Sequence, residues 1–398
     1  MTLQKNLLGL VFFFFLNPTF SQQKQLAIAN NIPDEYAFAE TANVNFITAT
    51  DVATVSTVSY DQEEPEVYDF LSERSISTNS ANSTNNAFTN FIVESLPINS
   101  KNSDYAPSFY KGELVFASSR NSKSVSVILQ QDTNEPFSDL YMTGKNIPDK
   151  GVSKLKGMIN TKFNESSATF SPDQKTVYFT RNNYSKRKFK RNSDGYVSLK
   201  IYKANYSNGK WKNIEELPFS SDEYSIANPA LSPDGRFMYF ASDMPGSYGQ
   251  SDLYVVKIFE DGTYGTPQNL GDKINSPGRE TFPYISDRGT LFFASDGHVG
   301  LGGLDIFMVL PNRTTGWSIY NLGAPINSEK DDFTFIINEE NNTGYFASNR
   351  INGKGGDDIY GCKLLVPLLD YRDNTPAIKR KIERHMDIKP ITEEITAF

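Results

Sequence analysis

The stretch Leu231–Val256 reads LSPDGRFMYFASDMPGSYGQSDLYVV. Ser232-Pro233-Asp234-Gly235 is a tight turn: Ser bonds back to the backbone, Pro presets φ, and Asp then Gly accept the close of a type I turn. Phe237–Ala241 is a short apolar run dense in aromatic residues, which reads as a strand. A Gly/Ser-rich loop follows, and Asp252-Leu253-Tyr254 opens the next strand. The same grammar recurs five times between Asp104 and Tyr360. Its copies are anchored at Phe116, Phe179, Phe240, Phe293 and Phe346, then at Tyr141, Tyr202, Tyr254, Phe307 and Tyr360. A repeat of roughly 50 to 60 residues built from short strands predicts a β-propeller, in which each unit is one small sheet. The fold class is therefore all-β, with four-stranded blades.

The Ser-Pro-Asp turn also occurs at Ser171-Pro172-Asp173, so Asp173 and Asp234 are structural repeat positions. Inner, second and third strands are exemplified by Thr281–Ser286, Thr290–Ala294 and Asp305–Val309. A fourth element runs a Leu-containing strand into an Asn- or Ser-containing turn, as in Lys154–Asn160, Ile214–Phe219, Gln268–Asn275 and Tyr320–Asn327. Phe91–Asn99 (FIVESLPIN) matches it but has no unit before it, while the last unit, Asp358–Leu365, lacks one. Joining the two closes the ring and leaves no open edge. Five blades follow; a sixth, built from Val44–Tyr60 and the C-terminal tail, is the competing count.

Over the 398 residues the formal net charge is −8, which favours neither nucleic acid nor an anionic membrane as partner. Cys362 is the one cysteine, so no intramolecular disulfide is possible; His298 and His385 are too few for a multi-His metal centre. Lys5, the apolar run Leu7–Leu16 and small residues Thr19 and Ser21 read as a secretory signal over 1–21, too short to span a bilayer. Residues 22–90 read as a Ser/Asn/Thr-rich leader and 91–366 as the propeller. Residues 367–398 form a tail in which Ile378, Ile382 and Met386 fall at helical spacing. No transmembrane segment is expected after signal cleavage, so the mature chain is exported to the periplasm or the outer membrane.

Tyr178–Asn183 (YFTRNN), Leu217–Pro245, Gly249–Val256 (GQSDLYVV), Gly278–Pro283 (GRETFP), Phe293–Phe307 and Ser348–Tyr360 carry a resemblance. Over about residues 91–365 the chain resembles the propeller domain of OmpA-family cell-envelope proteins of Bacteroidetes, whose repeats are related to those of TolB. That resemblance implies a periplasmic or outer-membrane-associated protein acting beside outer-membrane proteins of the PorP/SprF type, in type IX secretion, gliding or adhesin systems. Family members typically continue into an OmpA-like module that grips peptidoglycan. This chain carries no such pattern, so peptidoglycan anchoring is not carried over.

Several constellations invite chemistry. Asp139, Asp252, Asp305 and Asp358 open third strands, with Lys200 in the second unit. A residue type at the same place in nearly every blade follows the repeat, and bonding of backbone amides at a strand start is its expected role. Glu280 and Asp332 are the candidates if the propeller is carbohydrate-active, since glycosidases set two carboxylates about 5–9 Å apart. The Gly-rich loops Gly297–Asp305 and Gly353–Asp358 make His298 and Asp357 candidate rim contacts, and Asp357-Asp358 and Asp331-Asp332 could ligate a hard cation, though no EF-hand spacing supports it. Lys186, Arg187, Lys188, Lys190 and Arg191 form a basic run suited to an acidic partner or envelope glycan. No nucleophile elbow occurs, and no cofactor or resident metal is expected. The reading is a non-enzymatic interaction scaffold for an outer-membrane or periplasmic protein, with a carbohydrate-active propeller as the alternative.

Overall fold

The computed structural model describes residues 91–120, 129–130, 133–144, 151–185, 188–312 and 316–364. The signal sequence, the leader with Val44–Tyr60, the C-terminal tail and the basic residues Lys186 and Arg187 lie outside the described residues. The first strand, β1 (Phe91–Ser95), stands apart from the unit that follows it. β2 (Asp104–Tyr110), β3 (Glu113–Ser118), β4 (Asp139–Met142) and β5 (Ser153–Lys154) form the first sheet. β6 (Glu165–Phe170), β7 (Thr176–Asn182), a small hairpin of β8 (Tyr184–Ser185) and β9 (Lys188–Phe189), then β10 (Leu199–Ser207) and β11 (Lys210–Glu216) build the second. β12 (Ile226–Leu231), β13 (Phe237–Ser242), β14 (Asp252–Lys257) and β15 (Gln268–Asn269) are the third. β16 (Glu280–Ile285), β17 (Leu291–Ser295), β18 (Asp305–Asn312) and β19 (Gly316–Asn321) are the fourth.

The fifth sheet takes β20 (Asp332–Asn338), β21 (Thr343–Ser348) and β22 (Asp358–Leu364) from one end of the propeller and β1 from the other. Phe91 lies opposite Leu364 and Ser95 opposite Tyr360. The fold is a five-bladed propeller of four-stranded antiparallel blades, closed as the orphan first strand predicts.

The ten repeat anchors meet in pairs. Phe116 faces Tyr141, Phe179 faces Tyr202, Phe240 faces Tyr254, Phe293 faces Phe307 and Phe346 faces Tyr360, each across the second and third strands of its blade. Their ring centroids lie 5.6 to 6.3 Å apart. Such pairs add about 0.5–1.5 kcal/mol each beyond the area they bury. Cys362 is buried in β22, where desolvation pushes its thiol up to about 12.

In blades one and three the fourth element is shorter as a strand than its sequence signature, whereas β11 and β19 run to seven and six residues. β5 and β15 have two residues each, and the Leu-to-Asn portion is a cap. Asn160 Oδ1 accepts from Leu140 N and its Nδ2 donates to Leu140 O; Asn275 does the same to Leu253, Asn327 to Ile306 and Asn99 to Ile359. The amide side chain thus continues the ladder against the third strand where the backbone has turned away.

Candidate functional site

Antiparallel alternation places the starts of all first and third strands on one side, called the upper face. The loops between blades and between second and third strands lie there, and the Ser-Pro-Asp turns lie on the lower face. In those turns Ser171 Oγ and Ser232 Oγ donate to Asp173 and Asp234, whose carboxylates also accept Lys175 N and Arg236 N.

A central channel of about 430 Å³, open mouths included, is lined by three consecutive residues from each first strand. The first of each triplet is Ala106, Ser167, Asn228, Phe282 or Thr334. All five have positive φ, between 47° and 56°, and the pairing register skips there in every blade. Each first strand therefore carries a β-bulge that turns its backbone at the axis. None of the described residues that line the channel is charged.

The first-strand carboxylates, including the candidates Glu280 and Asp332, are not in that lining. Asp104, Glu165, Glu280 and Asp332 are fully buried at strand starts and cap the loop before them: they accept the backbone N–H of Ser100, Thr161, Ser276 and Ser328. Three of them also pair with a guanidinium, Arg120–Asp104 at 2.6 Å, Arg181–Glu165 at 2.9 Å and Arg350–Asp332 at 2.6 Å. Each of these arginines lies over its blade's aromatic pair and donates to the carbonyl of Ile98, Ile159 or Ile326. His298 occupies the equivalent place in the fourth blade. Its Nε2 lies 2.8 Å from Ile274 O and 3.9 Å from Glu280, and its ring packs on Phe293 and Phe307. The structure places this candidate rim contact inside the repeated scaffold. Desolvation raises the Glu280 carboxyl, opposed by hydrogen bonds from Ser276 and Ser295 and by His298.

Third-strand aspartates hold the Gly-rich loops. Asp252 accepts Tyr248 N and Gly249 N, Asp305 accepts Leu301 N and Gly302 N, and Asp358 accepts Lys354 N and Gly355 N. Asp139 instead pairs with Lys154. In the second blade Lys200 Nζ lies 2.6 Å from both Glu216 and Asp222, and the hydrogen bond from Lys200 is the main cause holding the Asp222 carboxyl at about 2. The next blade starts on Ile226 where its siblings start on a carboxylate, so Asp222 supplies the missing charge one loop earlier.

Asp357 is partly buried at the closure of blades five and one, where its N–H donates to Ser103 Oγ. Burial pushes its carboxyl up to about 7, opposed by a hydrogen bond with Ser103 and reinforced by Glu135, Asp331 and Asp358. Burial likewise pushes Asp305 up to about 6, against the amides of Gly302 and Leu301. Among the described residues no group of three or more His, Cys, Asp or Glu is placed to hold a metal ion. Asp331 instead accepts from Leu304 N and Asn349. Of the basic run, Lys188 lies in β9, Lys190 pairs with Asp222 at 3.2 Å, and Arg191 donates to Gly195 O.

Nine large apolar side chains stand exposed among the described residues, and seven are on the upper face. Leu129, Tyr196, Tyr248, Val299, Leu301 and Ile351 sit on the loop between second and third strands, at least one per blade; Met158 is on the loop joining blades one and two. Of the other two, Ile92 is on the outer strand β1 and Tyr206 on the lower face beside Lys111. Sequence reading passed over both this asymmetry and the channel residues. Pro107, Pro229 and Pro283 were the available signal for the bulges, because proline inside a strand is confined to edges and bulges.

No protein-family model and no curated protein sequence matches the chain, so the OmpA-family assignment rests on the sequence resemblance alone. Among solved structures, the chain is similar to TolB from Acinetobacter baumannii, at 14% identity over 58% of this chain and 50% of that one, with a TM-score of 0.34. It is also similar to a putative TolB from Agrobacterium tumefaciens, at 15% identity, 66% and 83% coverage and a TM-score of 0.38. A thermostable family-43 glycoside hydrolase matches at 13% identity, 76% and 97% coverage and a TM-score of 0.42. The chain thus covers half the length of the Acinetobacter TolB, and at these identities the likeness is one of fold alone.

Proposed function

We propose that this chain is an exported, non-enzymatic β-propeller that serves as a protein-binding scaffold of the cell envelope and docks its partner on the upper face. The observation that carries this reading is the asymmetry of exposed apolar side chains, seven of nine on one face and spread over all five blades. Rigid blades holding variable loops suit a docking role. The channel lining supplies no carboxylate pair, and Glu280 and Asp332 are engaged in capping their own loops, so the carbohydrate-cleaving alternative gains no support. The signal-like N-terminus supports export, and the resemblance to envelope propellers favours a partner of the PorP/SprF type.

The test is co-isolation from the native envelope with a Tyr248→Ser, Val299→Ser, Ile351→Ser variant beside the unaltered chain. The variant should keep its melting temperature and lose the partner. Retention of the partner would move the docking surface elsewhere; an unaltered chain that co-isolates no envelope protein would overturn the scaffold reading.

A further inference from the structure

Four first strands open on a fully buried carboxylate, and three of the four meet a permanent cation. Arg120, Arg181 and Arg350 keep their charge at any pH at which the chain is folded. Glu280, in blade four, meets the imidazole of His298 instead, which lies against the Phe293–Phe307 pair as the guanidinium groups lie over theirs. Ile274 O can only accept, so the Nε2 that lies 2.8 Å from it carries a proton in both charge states of the ring. The second proton must enter at Nδ1, and the side chain is 23% exposed, so solvent supplies it.

The same carboxylate is wired to the loop that follows β17. Ser295 Oγ donates to Glu280 at 2.6 Å and accepts the backbone amides of Gly297 and His298. Val299 and Leu301, 77% and 47% exposed, come next along that loop. The other charged groups around the ring are engaged elsewhere or lie in solvent. Arg279 pairs with Asp296 at 2.8 Å, Asp305 on β18 accepts Leu301 N and Gly302 N, and Asp332 of blade five pairs with Arg350. Asp331 accepts Leu304 N, and Asp272 and Lys273, beside Ile274, are exposed. Glu280 is therefore the charge that a protonated His298 meets.

We infer that His298 is a proton-operated latch: the imidazolium bridges Ile274 O and Glu280 as the arginines bridge their own carbonyl and carboxylate, and so fixes the Gly297–Leu304 loop. The neutral ring keeps only the bond to Ile274 O and lets the loop open. Imidazole is the side chain whose charge ordinarily changes between pH 5 and 8, so the latch closes as pH falls and opens as pH rises. The latch itself needs no docking partner. That it regulates docking, by fixing how Val299 and Leu301 are presented, rests on the upper-face reading, and the test below addresses the loop alone so that either can fail without the other.

The test is amide hydrogen exchange on the full chain at pH 8 and pH 6, expressed as protection so that the pH dependence of the exchange chemistry cancels. Protection over Val299–Leu304 should rise about fivefold at pH 6, because a charged donor bonds about twice as strongly as a neutral one. His298→Gln keeps a donor for Ile274 O and cannot take up a proton, so this rise should be absent from it. Asp305 holds the same loop in both proteins, and the difference between them isolates His298. An equal rise in both, or none in the unaltered chain, would overturn the inference. If His298→Gln fails to fold, NMR titration of the unaltered chain decides: the His298 ring signals and the Val299 amide must move together between pH 8 and 6. Ring signals that stay fixed while the Glu280 carboxyl carbon moves would put the proton on the carboxylate and equally overturn it.

Discussion

Removing one amide side chain should loosen the whole ring. Asn99 is buried at the point where the chain's first described strand meets its last. Its Oδ1 accepts Ile359 N at 2.9 Å and its Nδ2 donates to Ile359 O at 2.8 Å, across 260 residues of sequence. Asn99→Ala deletes both bonds and strands the Ile359 N–H in a packed strand. Each bond contributes about 0.5–1.5 kcal/mol net, and a buried donor left unmatched costs about 1–3 kcal/mol, so the loss should be about 2–4 kcal/mol. For a domain of this size that is a fall of about 4–16 °C in melting temperature. Urea unfolding followed by tryptophan fluorescence reads the same quantity as a lower midpoint. Asn275→Ala, which cuts the same two bonds to Leu253 inside blade three, is the matched control and should lose a similar amount. A loss below about 0.5 kcal/mol for Asn99→Ala would refute the claim that these amides hold the ring.

The strand register at the closure can be tested covalently. Leu96 N donates to Ile359 O, so alternation makes Val93 and Cys362 a non-hydrogen-bonded pair with Cα atoms about 4.5 Å apart, within disulfide range. Val93→Cys should therefore form a disulfide with Cys362 under oxidant, visible as a linked peptide by mass spectrometry, while Glu94→Cys should not; the reverse pattern would show the register to be wrong. Stability should also depend on pH in an unusual direction. Asp357 and Asp305, raised to about 7 and about 6, bind protons more tightly folded than unfolded. Their contribution is full below the ordinary carboxyl range near 4 and is lost as pH rises through 6 to 7. The urea midpoint should accordingly be higher at pH 5 than at pH 8, with a shallower slope in Asp357→Asn; a midpoint that rises with pH would contradict the assignment.

The architecture was legible because the repeat writes the same physical instruction five times. Phe116 with Tyr141 and its four counterparts put an aromatic pair in each blade, and the unpaired FIVES strand at one end matches the missing strand at the other. The site was less legible, because its defining property is backbone. A positive φ at Ala106, Ser167, Asn228, Phe282 and Thr334 is not written in residue type, since only Asn among them favours that region. Charged loop residues drew attention that the fold had already used. Glu280 and His298 read as separate candidates, yet they lie together because Arg120, Arg181 and Arg350 make the same contact in other blades. Lys200 is the instructive exception: its departure from the repeated Asp is answered by Asp222, a compensation across a loop that residue spacing does not announce.

The claim that one face docks the partner can be measured directly by placing a photo-crosslinking residue, in the native envelope, at Tyr248, Val299 or Ile351 on the upper face, and at Tyr206 on the lower. The account predicts one common adduct from the three upper positions and none from Tyr206. An adduct from Tyr206 alone, or no adduct from any upper position, would contradict it.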